Sequence, residues 1–294
     1  MRPPSRALYC PLPAGLADRF APAVDQPQRR EDCFMNARNR FTALAGLLML
    51  TLLVPGTVFA ADKAATKDSK GNVSDRWVVW PKADHAKEFE AAVKEYVVWL
   101  KKAGDPFKWV AYQPIAGADL SYYVFRSDDH QWKDFDAEEA WHEKSNDDAE
   151  FQKLVGPHIA KASHFYAERD AAHTHFDGKP GDYRYFRAIT RQLKPGSGAE
   201  VRAAIDKIHT ALQSQKWPYP YILEWQTGGR DNLRVILPMK SFADMVDPTP
   251  SLPEVLVKAL GADDAAATMK QFGSAAEIVD DTVGVVRPDL GTQK

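Results

Sequence analysis

The chain has 294 residues, 45% of them hydrophobic, with 38 Lys plus Arg against 40 Asp plus Glu and a formal net charge of −2. Near-neutral charge without a basic cluster argues against nucleic acid as a partner, since that binding depends on neutralising phosphates. The composition is that of a globular protein with a sizeable core.

In chain order, residues 1–34 are Pro- and Arg-rich without periodicity and read as an over-extended start. Residues 35–60 have the pattern of a secretory signal peptide. Met35 opens a basic stretch with Arg38 and Arg40, Phe41 to Val54 is apolar, Pro55-Gly56 breaks the run, and Val58 and Ala60 fill the small-residue positions. Cleavage is expected after Ala60, giving a periplasmic or secreted product. The apolar run is shorter than the roughly 20 residues of a spanning helix, so no stable membrane anchor is expected afterwards. Both cysteines, Cys10 and Cys33, precede Ala60, so the remainder has no thiol chemistry. Lys plus Arg falls from 38 to 31 and Asp plus Glu from 40 to 36, a formal net charge of −5.

Residues 61–75 are polar and Lys-rich and read as a flexible leader. A first module is expected over residues 76–176. It starts with a strand at Trp77–Trp80 and a helix at Asp84–Lys102, whose Phe89, Ala92, Val93, Tyr96, Val97 and Leu100 share one face. Gly104-Asp105-Pro106 stops the helix. Strands are expected at Phe107–Gln113 and Leu120–Arg126, helices at Ala137–Lys144 and Asp148–Ala162, and a closing strand at His164–Glu168.

Lys179-Pro180-Gly181 marks a boundary, and the order then repeats over residues 181–290. The second set comprises a strand at Tyr183–Gln192, a helix at Glu200–Gln213, strands at Tyr219–Gln226 and Asn232–Leu237, helices at Pro253–Leu260 and Asp264–Phe272, and a strand at Glu277–Val286. An offset of 113 maps Tyr112-Gln113 onto Trp225-Gln226 and Leu120 onto Leu233. Each half is then a ferredoxin-like βαββαβ module in an α+β fold. Phe107 and Trp109 alternate with Val110 and Tyr112, so both faces of the sheet carry large apolar groups and both are expected to be buried. The sheet of the other module is the economical cover.

The element order, the Trp- and Tyr-rich strands and the segment Trp132 to Trp141 leading to Phe151–Leu154 resemble the dimeric α/β-barrel superfamily, especially its antibiotic-biosynthesis-monooxygenase-like and stress-responsive members. The resemblance implies an intramolecular barrel, with both halves of the usual homodimer in one chain, as a monomer or a further homodimer. It also implies cofactor-free monooxygenation, haem binding or haem breakdown, or plain ligand binding. No residue is carried over from a family site, and the cofactor stays unknown.

Chemistry-bearing residues concentrate at His158, His164, Tyr166, Glu168, His173 and His175. Strand alternation puts His164, Tyr166 and Glu168 on one face, as a proton-transfer set or as a solvated rim. No metal site is expected from the histidine spacing. Trp109, Tyr112, Tyr122 and Trp225 are candidates for lining a pocket for a small apolar or aromatic ligand, or for plain core. Glu224 faces away from Leu223 and Trp225. Inside a barrel its carboxylate would have a raised pKa and act as a base; at an edge it would deter aggregation. Arg126 and Arg187 are candidates for holding an anion, or are plain solvated strand ends. The resulting expectation is an exported small-molecule-binding protein, with an oxygenase or haem protein, or a non-catalytic envelope interaction module, as alternatives. N-terminal sequencing of the full-length chain expressed in an export-competent bacterium should find Ala61 first; a stable product starting near Met1 overturns the signal.

Overall fold

The computed structural model describes residues 70–178 and 181–293. The signal segment with Ala60, everything before it, the leader up to residue 69 and the Lys179-Pro180 boundary lie outside the described residues. Each half is βαββαβ. The first runs β1 (Val73–Pro81), α1 (Ala86–Ala103), β2 (Trp109–Ala116), β3 (Tyr123–His130), α2 (Trp132–Ser145), α3 (Asp147–Leu154) and β4 (Ile159–Arg169). The second runs β5 (Tyr185–Leu193), α4 (Gly198–Ser214), β6 (Ile222–Thr227), β7 (Asn232–Met239), α5 (Leu252–Leu260), α6 (Ala262–Ala275) and β8 (Ala276–Arg287).

Helix α1 forms where the apolar spacing requires it, burying Phe89, Ala92, Val93, Val97 and Leu100. Gly104 ends it in the left-handed region, φ 77°, where its N–H reaches the carbonyl of Leu100. Helix α5 begins with a reciprocal cap between Ser251 and Glu254. The first half's sheet order is β4-β1-β3-β2 and the second's is β8-β5-β7-β6. Antiparallel pairing of β2 with β8 and of β4 with β6 joins them into a closed eight-stranded ring. The two sheets therefore meet edge to edge, and among the described residues no strand of the ring has an edge left for another chain to extend.

Several expected boundaries move. Strand β1 begins at Val73, inside the segment read as leader, and Val73, Ser74 and Asp75 are buried. The helix expected over Asp148–Ala162 stops at Leu154, and the chain turns through Gly156–His158 into β4 at Ile159. The helical spacing continued past Gly156-Pro157, but Pro157 cannot donate within a helix and stops it. The 113-residue offset holds for β2 and β6 and fails afterwards. Leu120 lies in the β2–β3 loop, 50% exposed, whereas Leu233 is fully buried in β7.

The core is uneven. In the second half Val201, Ile205, Leu212, Leu223, Leu233 and Val255 fill the space between helices and sheet, with Leu256 seated between α4 and α6. In the first half Phe89, Val93, Val97, Tyr123 and Val155 pack around Leu290, which arrives from beyond β8. Arg287 fixes that terminal turn through Glu90 at 2.8 and 2.9 Å. Helix α2 contributes only Glu138 to the buried set. Leu290→Ala should cost about 2–5 kcal/mol and lower the urea midpoint while keeping one cooperative transition; a separate early transition of the first half would contradict the shared ring.

Candidate functional site

Because α2 brings no apolar stripe to the sheet, a cleft of about 1250 Å³ opens between them in the first half. Its sheet wall carries Asp75, Trp77, Trp109, Phe125, His164 and Tyr166, and its helix wall Trp132, Phe135, Glu138 and His142. Strand pairing puts Trp77 opposite His164 and Asp75 opposite Tyr166, so β1 and β4 deliver the four side chains side by side.

His164 Nε2 lies 2.5 Å from Asp75 Oδ1. A carboxylate only accepts, so Nε2 carries the proton of this bond, and in the neutral tautomer Nδ1 is left as an acceptor. Trp77 stacks on the imidazole at 4.1 Å, and Tyr166 meets it edge-on at 4.9 Å. Tyr166 also contacts Trp132 and Phe135 at 5.2 and 4.9 Å. Trp77 and Trp132 are 39% and 45% exposed, an apolar surface that the fold leaves open to the cleft.

The electrostatics of the cleft are one-sided. Eight carboxylates line it, among them Asp75, Glu138, Glu139 and Glu143, and no lysine or arginine among the described residues does. Asp147 and Glu138 lie either side of His142, at 2.7 and 3.4 Å, and Tyr96 hydrogen-bonds Asp147. The hydrogen bonds to Asp147 and Glu138 outweigh burial and raise the His142 pKa to about 10. Burial itself raises Glu138 and Tyr166 above their usual ranges.

The other side of the same strands faces the ring's interior, with a second cavity of about 200 Å³ lined by Arg76, Tyr112, Tyr122, Arg126 and Arg234. The expected single aromatic pocket is therefore divided. Trp109 belongs to the cleft and Tyr112 and Tyr122 to the interior. Trp225 packs against the second core, donating to Asp170 at 3.0 Å under the guanidinium of Arg202. The larger cavity lies within the first module, and the smaller one lies between the modules, where the pocket was expected.

Glu224 does face inward, 1% exposed, and pairs with Arg126. Its expected raised pKa is reversed. Burial pushes it up, but the charges of Arg126 and Arg76 and the hydrogen bond from Arg126 prevail and hold it below the ordinary carboxylate range. It is a counter-ion, on the opposite side of the sheet from His164. The remaining histidines disperse: His158 meets His85 at 3.3 Å, His173 sits between Asp170 and Asp206, and His175 is paired with Tyr221. Glu168 is near Thr227 at 3.5 Å. Arg187 is held by Asp281. No group of three or more potential metal ligands occurs among the described residues.

Asp75, Trp77, Glu138 and His142 were not among the site residues expected from the sequence, although Trp77 opens the first expected strand. For the first two the signal was present: Asp75-Arg76-Trp77-Val78 alternates like a strand, yet begins in a polar stretch.

No protein-family model and no curated protein matches the chain. Among solved structures it is similar to an anthrone oxidase-like protein, at 12% identity and a TM-score of 0.47, covering 78% of this chain and 95% of that one. It is also similar to chlorite dismutase from Candidatus Nitrospira defluvii in complex with imidazole, at 14% identity and a TM-score of 0.46, covering 74% and 92%. Strand order and ring closure define the fold on their own: a dimeric α/β-barrel arrangement with both halves in one chain.

His142 supplies a direct check on the cleft. Its folded pKa of about 10 exceeds the unfolded value near 6.5, so its stabilisation is full below pH 6.5 and vanishes as pH rises through 10. The difference in urea midpoint between wild type and His142→Gln should be largest at pH 6 and close by pH 10.5; a constant difference contradicts the assignment.

Proposed function

We propose that the first half's cleft binds a small aromatic molecule bearing a positive charge or a strong hydrogen-bond donor, and that His164 Nδ1 accepts from it. The single observation that supports this is the pairing of an open aromatic wall with eight carboxylates and no facing lysine or arginine among the described residues. Aromatic faces attract cations by about 0.5–2 kcal/mol each, and more strongly when water is excluded. The expected export adds that the ligand is met outside the cytoplasm.

A second reading uses the same atoms catalytically. Asp75 orients the imidazole, and Nδ1 takes a proton from an activated CH2 of a bound aromatic. The carbanion adds dioxygen to form a C–O bond, the peroxide takes that proton back, and loss of water leaves a carbonyl. The observation favouring it is the Asp75–His164 distance of 2.5 Å.

Haem, which the resemblance also implies, does not fit the cleft. Its propionates would meet carboxylates, and His142 is engaged by a carboxylate at both ring nitrogens.

Tryptophan quenching with 2-naphthylmethylamine, 2-naphthalenemethanol and 2-naphthoate should rank affinity in that order, and Trp132→Ala should weaken the amine roughly tenfold. Tightest binding of the naphthoate overturns the cation reading. In the same assay haemin should give no Soret shift that depends on His142 or His164.

A further inference from the structure

The ring's interior is built unlike an apolar core. Arg76 from β1, Arg126 from β3 and Arg234 from β7 enter it from both halves, each no more than 9% exposed. Arg126 is occupied by Asp128 and Glu224. Arg76 Nε and Nη1 and Arg234 Nε are buried with no hydrogen-bond partner. Unpartnered buried donors are costly and rarely tolerated in folded proteins. Glu224 Oε2 is the one buried carboxylate oxygen left without a partner beside them. Arg169 Nε is unpartnered too, so even if that oxygen accepted from both nitrogens of Arg76, two of the four donors would remain.

The charges also fail to cancel. Arg76, Arg126, Arg169 and Arg234 line the cavity with Asp128 and Asp129, and Glu224 stands behind them, leaving one positive charge in excess. Asp129 is already committed to Lys70 and Arg169. The hydroxyl of Tyr112, on the same wall, can add a donor. A guanidinium presents its N–H groups in a planar fork that suits the oxygens of a carboxylate or phosphate.

We propose that the ring's interior is a binding site for a small oxyanion, an inorganic phosphate-like ion or a short carboxylate, held between Arg76 and Arg234 with Tyr112 assisting. The site is independent of the cleft, lying on the other side of β1, β2 and β3. Its volume of about 200 Å³ admits such an anion, whereas the large aromatic surface belongs to the cleft. Because its donors come from both halves, the anion would also bridge them.

The test is thermal unfolding of the full chain at constant ionic strength, with chloride replaced stepwise by phosphate, sulfate or acetate. A site ligand stabilises the folded form by mass action. Wild type should show a saturable rise of about 2–4 °C, given that roughly 1 kcal/mol moves a domain of this size by that much. Arg76→Met should abolish the rise and, without anion, be no less stable than wild type, since the two orphan nitrogens disappear with it. Should Arg76→Met not fold, Arg234→Met carries the same prediction. A response to phosphate and sulfate alone assigns an inorganic oxyanion, and one to acetate alone a carboxylate; both support the site. No saturable response to any of the three, or an equal response in wild type and variants, overturns it.

Discussion

A closed ring of strands imposes one rule on every residue in it: neighbours along the chain look into different compartments. The consequences begin in β1, where Asp75 and Trp77 enter the cleft while Arg76 enters the interior. They continue in β6, where Trp225 serves the second core and Glu224 the buried ion pair. A single backbone thus separates an acidic aromatic surface from a cationic interior about one side chain away. A one-residue slip in any strand would exchange the two chemistries, so register is strongly specified here.

That partition explains why two halves with the same order of elements differ in use. In the second, α4, α5 and α6 press apolar residues onto the sheet and leave little room. In the first, α2 presents carboxylates and His142 where an apolar stripe would close the gap. The two halves share one frame, and the absence of a buried apolar face on α2 leaves the site of the first half open. The pairs at the two junctions, β2 with β8 and β4 with β6, let one half become hollow while the other supports it.

The architecture was legible from local pattern. Alternation in β2 and β3 showed both faces apolar, and Phe89 to Leu100 fixed the inward side of α1. That Glu224 faces away from Leu223 and Trp225 was legible too, although whether that side is the interior or an edge was not. Its charge state was not, since Arg126 and Arg76 lie far away in sequence and only ring closure brings them near. The same holds for the aromatic candidates: Trp109 and Tyr112 look alike in composition, yet an odd spacing of three sends them to opposite sides. His164 and Tyr166 were grouped correctly by a spacing of two, while Asp75, which sets the tautomer, sat in a stretch too polar to read as strand.

Leu290 has a consequence for how the chain acquires its shape. It fills the core of the first half but is made after every strand of the ring. A ribosome elongating at about 5–20 residues per second usually lets an N-terminal unit fold before the next emerges. Here that order is blocked, because the early half lacks both its plug and its two edge partners until synthesis is nearly finished. The core of the first half therefore closes only when the last residues of the chain have been made, so its shape is acquired after synthesis rather than during it.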